Sequence, residues 1–335
     1  MSKPALSFQN GAFQVADDGL FLSSLNASNL TTGLVPKARG GLGQDVSAGL
    51  TDNQVAVVVG GTLTIGSLPA ASLPLVLDVQ VFTTNGVWNK PTNGGFVKVV
   101  CIGGGGAGGS GRRGTNPSFG GGGGSGGAYT EAIFLRSGLP ASVAVTVGSG
   151  GSGGGARTTD NTNGVQGLPG GNTTFGSFVR ASGGRGGLGG TNASAVGGSI
   201  PLYGQFLSTQ GGSGSNGNGG ASSNSTMAPG SGGGGQGLNG TNGGSGRAPG
   251  ALNLADSSGG AINANGTVGA SAGTYQSGGG GGGGGNSNLV GINAGNGGNG
   301  GIYGGGGGGG GASINGANSG AGGNGANGVC IVVTY

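Results

Sequence analysis

The sequence has no histidine and only two cysteines, Cys101 and Cys330. Zinc sites draw on several Cys and His ligands, and Ser-His-Asp or Cys-His catalysis needs an imidazole base, so neither chemistry is expected. Charged side chains are also scarce, at 6% of the chain against about 25% in an ordinary soluble domain. We therefore expect no metal, no cofactor and no enzymatic activity.

Carboxylates are especially few beyond residue 102, where Glu131, Asp160 and Asp256 are the acidic residues. A glycosidase needs two facing carboxylates, and calcium needs several oxygen ligands, so the composition argues against both. The formal net charge of +4 is small for 335 residues, and the basic pair Arg112–Arg113 has no accompanying aromatic stripe. Binding to nucleic acid is therefore not expected.

Long hydrophobic runs are missing as well. Residues 1–13 contain no apolar core of signal-peptide length, and no uncharged apolar stretch approaches 18 residues. We expect synthesis in a cytoplasm without a signal peptide, and no insertion into a membrane.

Glycine is what the sequence has in excess, at 99 of 335 residues against a usual share of about 7%. Each interior glycine costs a helix about 1 kcal/mol relative to alanine, so a helical protein is excluded. Collagen is excluded too, because glycine does not recur at every third position and only 11 residues are proline. Residues 1–102 hold 13 glycines, residues 103–328 hold the other 86, and residues 329–335 hold none.

Strand-like segments border and interrupt this glycine-rich block. Residues 96–102 precede it and residues 329–335 close the chain, and the simplest geometry pairs these two apolar strands and brings Cys101 near Cys330. Both a disulfide and two buried thiols fit that geometry, and a cytoplasm favours the thiols. Further strands, enough for a small β-sandwich, are predicted at 79–83, 86–88, 128–135, 141–147 and 173–180.

A period of three appears after residue 183. Asn296, Asn299 and Ile302 are separated by glycine pairs, and residues 315–327 repeat the spacing. Three residues per turn is the period of polyproline II, and only glycine lets such helices pack side by side at close range. We predict ordered polyglycine-II rods, with the runs 278–285 and 304–311 in the interior. The alternative is a flexible low-complexity linker, which the apolar pairs Leu289–Val290 and Ile302–Tyr303 argue against.

The N-terminal part is predicted to form two β-hairpins. One spans residues 6–22 with a turn at Asp17–Gly19, and the other spans 54–65 with a turn at Gly60–Gly61. Neither buries a core alone, which suggests winding with identical chains. The predicted organisation is a hairpin region at 1–35, a shaft or linker at 36–78, and a β-sandwich with its glycine-rich insertion (103–328) at 79–335. The fold class is mainly β with almost no helix.

Several phrases resemble tail fibre proteins of tailed bacteriophages. They are LNASNLTTGLVPKARGGLG at 25–43, FTTNGVWNKP at 82–91, and the segments 97–106, 174–184 and 328–335. The glycine-rich block also resembles the polyglycine-II tip adhesins of T-even-like phages, although those adhesins are separate proteins and here the block is fused to its own short fibre.

This resemblance implies a homotrimer in the virion, with a short trimeric fibrous N-terminal region attached to phage baseplate or tail proteins. Its C-terminal domain would be a receptor-binding adhesin that mediates host attachment through a surface polysaccharide or an outer-membrane protein. The rivals are a structural or ice-binding glycine-rich protein and, less favoured, a polysaccharide-degrading spike.

Bulky side chains between the glycine runs are the candidate receptor contacts, because aromatic and arginine side chains on a rigid scaffold are typical of binding surfaces. The candidates are Arg112, Arg113, Phe119, Tyr203, Phe206, Arg247, Tyr275 and Tyr303. Packing into gaps between rods or strands explains each of them equally well.

Overall fold

A computed structural model describes the backbone of four N-terminal strands and, with side chains, residues 77–335 except 224–226, 248–253 and 272–275. The chain divides into two compact units, Met1–Leu73 and Pro74–Tyr335. The first unit contains two antiparallel hairpins. Their strands are β1 (Ser7–Gln9), β2 (Ala12–Gln14), β3 (Gln54–Val59) and β4 (Thr62–Ser67).

The first hairpin has a short connection. Gln9 pairs with Ala12, so the chain reverses between them, and the turn predicted at Asp17–Gly19 lies outside the described residues. The two intervening residues are Asn10 and Gly11, and Asn-Gly is the dipeptide that best suits a tight two-residue hairpin turn. The second hairpin reverses across Gly60–Gly61 as predicted, with Val59 paired to Thr62.

The second unit contains two four-stranded antiparallel sheets. One has the order β5 (Asp78–Phe82), β12 (Val329–Thr334), β7 (Phe96–Ile102) and β8 (Tyr129–Leu135). The other has the order β11 (Val179–Ala181), β10 (Thr173–Phe175), β9 (Ser142–Thr146) and β6 (Gly86–Asn89). Alternate apolar residues of both sheets share one core, in which the rings of Trp88 and Phe175 lie 5.4 Å apart. The fold is mainly β, and the part of the chain described contains a single 3₁₀ turn, Arg136–Gly138.

The β7–β12 pair and the segment 173–180 were both predicted to form strands. The pairing of β7 with β12 is confirmed, and it places the free, buried thiols of Cys101 and Cys330 opposite each other with their Sγ atoms 3.6 Å apart. The single strand predicted at 173–180 is wrong, because the segment is a hairpin formed by β10 and β11. Gly176 adopts φ +52° at the reversal, a conformation that side chains rarely allow and that the local apolar pattern does not reveal.

The glycine-rich block folds into extended rods that run back and forth, and rod 103–111 shows how they bond. Its backbone N–H groups donate to three different rods in strict rotation, with N···O distances of 2.8–3.0 Å. Its carbonyl groups accept from three more rods in the same rotation. The six partners are 163–172, 119–127, 317–328, 148–154, 184–190 and 304–313. A three-residue rotation of bonds is what a helix with three residues per turn produces, so the predicted polyglycine-II geometry is confirmed.

Five rods in the described part of the chain have bonded neighbours on all six sides. They are 103–111, 119–127, 230–238, 278–285 and 304–312, and they include both runs predicted to be interior. A Cβ atom added to Gly308 would lie 2.0 Å from the carbonyl oxygen of Gly282 on a neighbouring rod. Side chains are therefore excluded from most interior positions by neighbouring backbone.

Candidate functional site

The loops at the rod ends opposite the β-sandwich form one continuous surface, here called the far-end surface. Rod 103–111 starts directly after β7, so the loop that follows it lies at the opposite end. Backbone bonds join this loop to its neighbours, from Arg113 N to Thr162 O (3.1 Å) and from Ser313 N to Arg112 O (2.9 Å). The loops of the far-end surface include 112–118, 155–163, 238–241, 261–263, 286–292 and 313–317.

Arg113 is the side chain that fastens these loops together. Its Nε donates to Asp160 Oδ1 at 2.6 Å, and its Nη1 donates to Thr158 O at 2.7 Å and Asn318 Oδ1 at 2.9 Å. Asp160 Oδ1 also accepts the backbone N–H of Gly316 at 2.9 Å. The Gly316 N–H and the Arg113 guanidinium hold the pKa of Asp160 below its ordinary value. With 11% of its side chain exposed, Arg113 acts mainly as an internal clamp.

Asparagine amides continue this polar network across the surface. Asn116 donates from Nδ2 to Asn239 Oδ1 at 2.9 Å and accepts at Oδ1 from Asn216 Nδ2 at 3.1 Å. Arg112 joins the network at its edge, donating from Nη1 to Asn163 Oδ1 at 2.6 Å. The loops are thus fixed by side-chain bonds as well as by the rods beneath them.

An apolar patch, the far-end patch, lies beside this polar network. Val290 is 73% exposed and Leu289 is 54% exposed, and the same patch includes the exposed side chains of Ile262 and Ile292. Its loops are tied to their neighbours by backbone bonds from Gly291 N to Gly316 O (3.1 Å) and from Asn263 N to Asn286 O (2.7 Å). Four exposed aliphatic side chains on fixed loops make a surface suited to contact with another molecule.

The packed rods, here called the lattice, and nearly all of the two sheets lie within the region that a known protein family covers. A family model described as a glycine-rich domain matches residues 81–335. The chain belongs to this family. No curated protein matches the chain. The matched region of the glycine-rich domain includes β6 to β12, the five interior rods and the far-end surface.

The glycine-rich domain separates the sequence-predicted site residues into two groups. Arg112, Arg113 and Phe119 belong to the far end, where Phe119 is half-buried and bonds through its backbone to Arg112 and Thr191. The far-end patch was not among the predicted contacts, although its Leu289–Val290 pair stands out in the sequence as an apolar break between glycine runs. That break was the available signal.

The other described candidates lie at the sandwich end. The Phe206 ring packs against Tyr129 at 5.8 Å, and Tyr303 packs on the Ile102, Val329 and Ile331 cluster. Arg247 pairs with Asp256 at 2.5 Å, whereas Tyr203 is 59% exposed beneath Arg180. Tyr275 lies outside the described residues. The structure therefore does not bring the eight candidates into one site.

Three further features concern metal ligands, paired carboxylates and membrane-spanning helices. The described residues contain no group of three or more His, Cys, Asp or Glu residues that could hold a metal ion. Glu131, Asp160 and Asp256 are each paired with a different basic side chain, namely Lys98, Arg113 and Arg247. The same described residues contain no helix that is long and apolar enough to cross a membrane.

Proposed function

We propose that this chain is a bacteriophage tail fibre that binds a host-cell surface receptor through its far-end surface. In this proposal three copies assemble through the N-terminal region, which attaches them to the phage baseplate or tail, and the protein is a non-enzymatic part of the virion. The tail-fibre phrases at 25–43 and 82–91 support the assignment, and linkage of three copies would increase the strength of weak individual contacts.

The observation that carries the proposal is the exposed far-end patch on a fixed scaffold. A partner that covers these aliphatic side chains stabilises the complex by about 25 cal/mol per Å² of apolar area buried. The Arg113 clamp and the asparagine network order the neighbouring loops in advance, which lowers the entropy cost of binding.

The chemistry of the patch favours one of the two receptor classes. The exposed side chains of Ile262, Leu289, Val290 and Ile292 are aliphatic and carry no hydrogen-bonding group. Such side chains suit an apolar protein surface better than a hydroxyl-covered sugar chain. We therefore propose an outer-membrane protein as the receptor that contacts the far-end patch, with the asparagine network forming the polar rim.

The test is binding of the fluorescently labelled full chain to a panel of bacterial strains that includes strains stripped of individual outer-membrane proteins. The expected result is strain-selective labelling that Val290→Ser reduces at least tenfold. Val268→Ser is the matched control, because Val268 is 62% exposed but lies on the rod that returns from the far end. Equal labelling by the Val290→Ser variant and the unaltered chain, or no labelling of any strain, would overturn the proposal.

The two rival functions make different predictions. An ice-binding protein would show thermal hysteresis, but the asparagine oxygens that line one outer face already accept backbone N–H groups, as Asn299 does from Asn324 N at 2.8 Å. A polysaccharide-degrading spike would release sugar from host polysaccharide, and it would need a carboxylate pair. We propose that neither activity will be detected.

A further inference from the structure

A groove on the flank of the rod bundle has the chemistry of a second binding site. It consists of two hollows of about 210 and 280 Å³ that share Pro169 and Arg185. The first hollow is also lined by Asn172, Arg180 and Leu202, and the second by Gln166, Leu188 and Val196. We call these two hollows the flank groove.

The shape of the flank groove follows from the rods that form it. Rods 163–172 and 181–190 lie side by side, bonded from Gly167 N to Gly187 O at 2.9 Å and from Gly170 N to Gly184 O at 2.9 Å. Gly170, Gly183 and Gly186 line the hollows. Because glycine has no side chain, the neighbouring Arg, Leu and Pro side chains become the walls of a channel along the rods.

The charge of the groove is uncompensated. Arg180 and Arg185 are both exposed, and no carboxylate lines either hollow. The ion pairs among the described residues are Lys98–Glu131, Arg113–Asp160 and Arg247–Asp256. Neither groove arginine takes part in them. The remaining described acidic side chain, Asp78, accepts a hydrogen bond from Gln80. Two guanidinium groups without a carboxylate partner in one channel would therefore attract an anion from outside the chain.

The Arg180 side chain is also held in place. Its guanidinium carbon lies 5.0 Å from the centre of the Tyr203 ring, a cation–π distance. This contact restricts the position of the guanidinium group, and a guanidinium can bind a carboxylate through two parallel hydrogen bonds. The exposed Tyr203 ring thus helps to position Arg180.

We propose that the flank groove binds a saccharide chain that carries carboxylate groups. Arg180 and Arg185 would bind the carboxylates, and the amides of Gln166 and Asn172 would bond to sugar hydroxyls. Leu188 and Leu202 offer apolar contact to the ring faces. This site is separate from the far-end patch, so it does not depend on the proposed receptor.

The test is calorimetric titration of the full chain with a galacturonate trisaccharide, with neutral maltotriose and inorganic phosphate as comparison ligands. We expect the acidic trisaccharide to bind, with an affinity that falls as salt is added. Arg180→Gln and Arg185→Gln should each weaken binding about tenfold or more, as expected for loss of a charge-assisted pair. Val290→Ser should leave this binding unchanged, which separates the flank groove from the far-end surface.

Arg247→Gln is the matched control, because it removes the same charge at a partly exposed arginine outside the groove. Three results would overturn the proposal: no binding of the acidic trisaccharide, equal binding of maltotriose, or equal weakening by Arg247→Gln. Phosphate that binds as tightly as the trisaccharide would also overturn it, because the groove would then be a general anion site.

Discussion

Asp160 is a single side chain on which several far-end loops converge. Its carboxylate accepts from Arg113 Nε and from the backbone N–H of Gly316, and these bonds lower its pKa. A carboxyl whose pKa is lowered by folding contributes stability above its unfolded pKa of about 3.9, and that contribution is lost as the pH falls through the lower folded value.

The amide resonance of Gly316 reports on this ionisation. We expect its chemical shift to titrate with a midpoint below about 3.9, because the N–H loses a charged acceptor only when Asp160 is protonated. Asp160→Asn should remove that titration and loosen loop 155–163 already at neutral pH. A midpoint at or above the ordinary value of an aspartate would contradict the bonding described here.

At the edge of the lattice, side-chain amides accept hydrogen bonds from the backbone N–H groups of an outer rod. The outer rod 317–328 has no backbone neighbour for some of its N–H groups, and asparagine side chains of the adjacent rod take that place. The bonds run from Ala321 N to Asn296 Oδ1 and from Asn324 N to Asn299 Oδ1, each at 2.8 Å. The three-residue spacing of these asparagines matches the spacing of the N–H groups along the rod.

Substitution of Asn299 tests this role. Asn299→Ala removes the acceptor of the Asn324 N–H and should lower the free energy of unfolding by about 1 kcal/mol, the usual contribution of one hydrogen bond. Asn299→Asp keeps an oxygen at the same place and should be close to the unaltered chain. Denaturant unfolding measures both variants, and equal losses would show that the amide oxygen is not what matters.

The elements differ in how far the sequence predicts them. Strands β5 to β9 and β12 follow from alternating apolar residues, and the rods follow from the period of three. The order of rods in the lattice does not follow, because glycine has no side chain to specify a partner. The Leu289–Val290 pair is visible in the sequence as an apolar break, but its exposure depends on which loops lie beside it, and that order is not predicted. Tyr303 differs from these two residues, because it was predicted to contact a receptor and instead packs on the β-sandwich.

The lattice as a whole responds to a change at its centre. A Cβ atom on Gly308 would lie 2.0 Å from Gly282 O, whereas on Gly155 it would have nothing within 4 Å. Gly308→Ala must therefore push neighbouring rods apart, and we expect a loss of at least about 3 kcal/mol, the upper end of the range for overpacking, or failure to fold.

Gly155→Ala is the control, because it adds the same methyl group to the rim of the same lattice. It should change the free energy of unfolding by less than about 0.5 kcal/mol, as for an ordinary surface substitution. Equal tolerance of both substitutions in denaturant unfolding would mean that the interior rods are not packed as tightly as described.

The continuity of strands and rods also has a mechanical consequence. Rod 103–111 extends β7 and rod 317–328 leads into β12, and these two strands are paired side by side. A pull on the far-end loops therefore travels along covalent backbone into the two central strands of a four-stranded sheet. The bonds between rods are lateral, so such tension loads many of them in shear at once and does not open them one after another. We therefore expect the glycine-rich domain to resist a pull that acts along its rods.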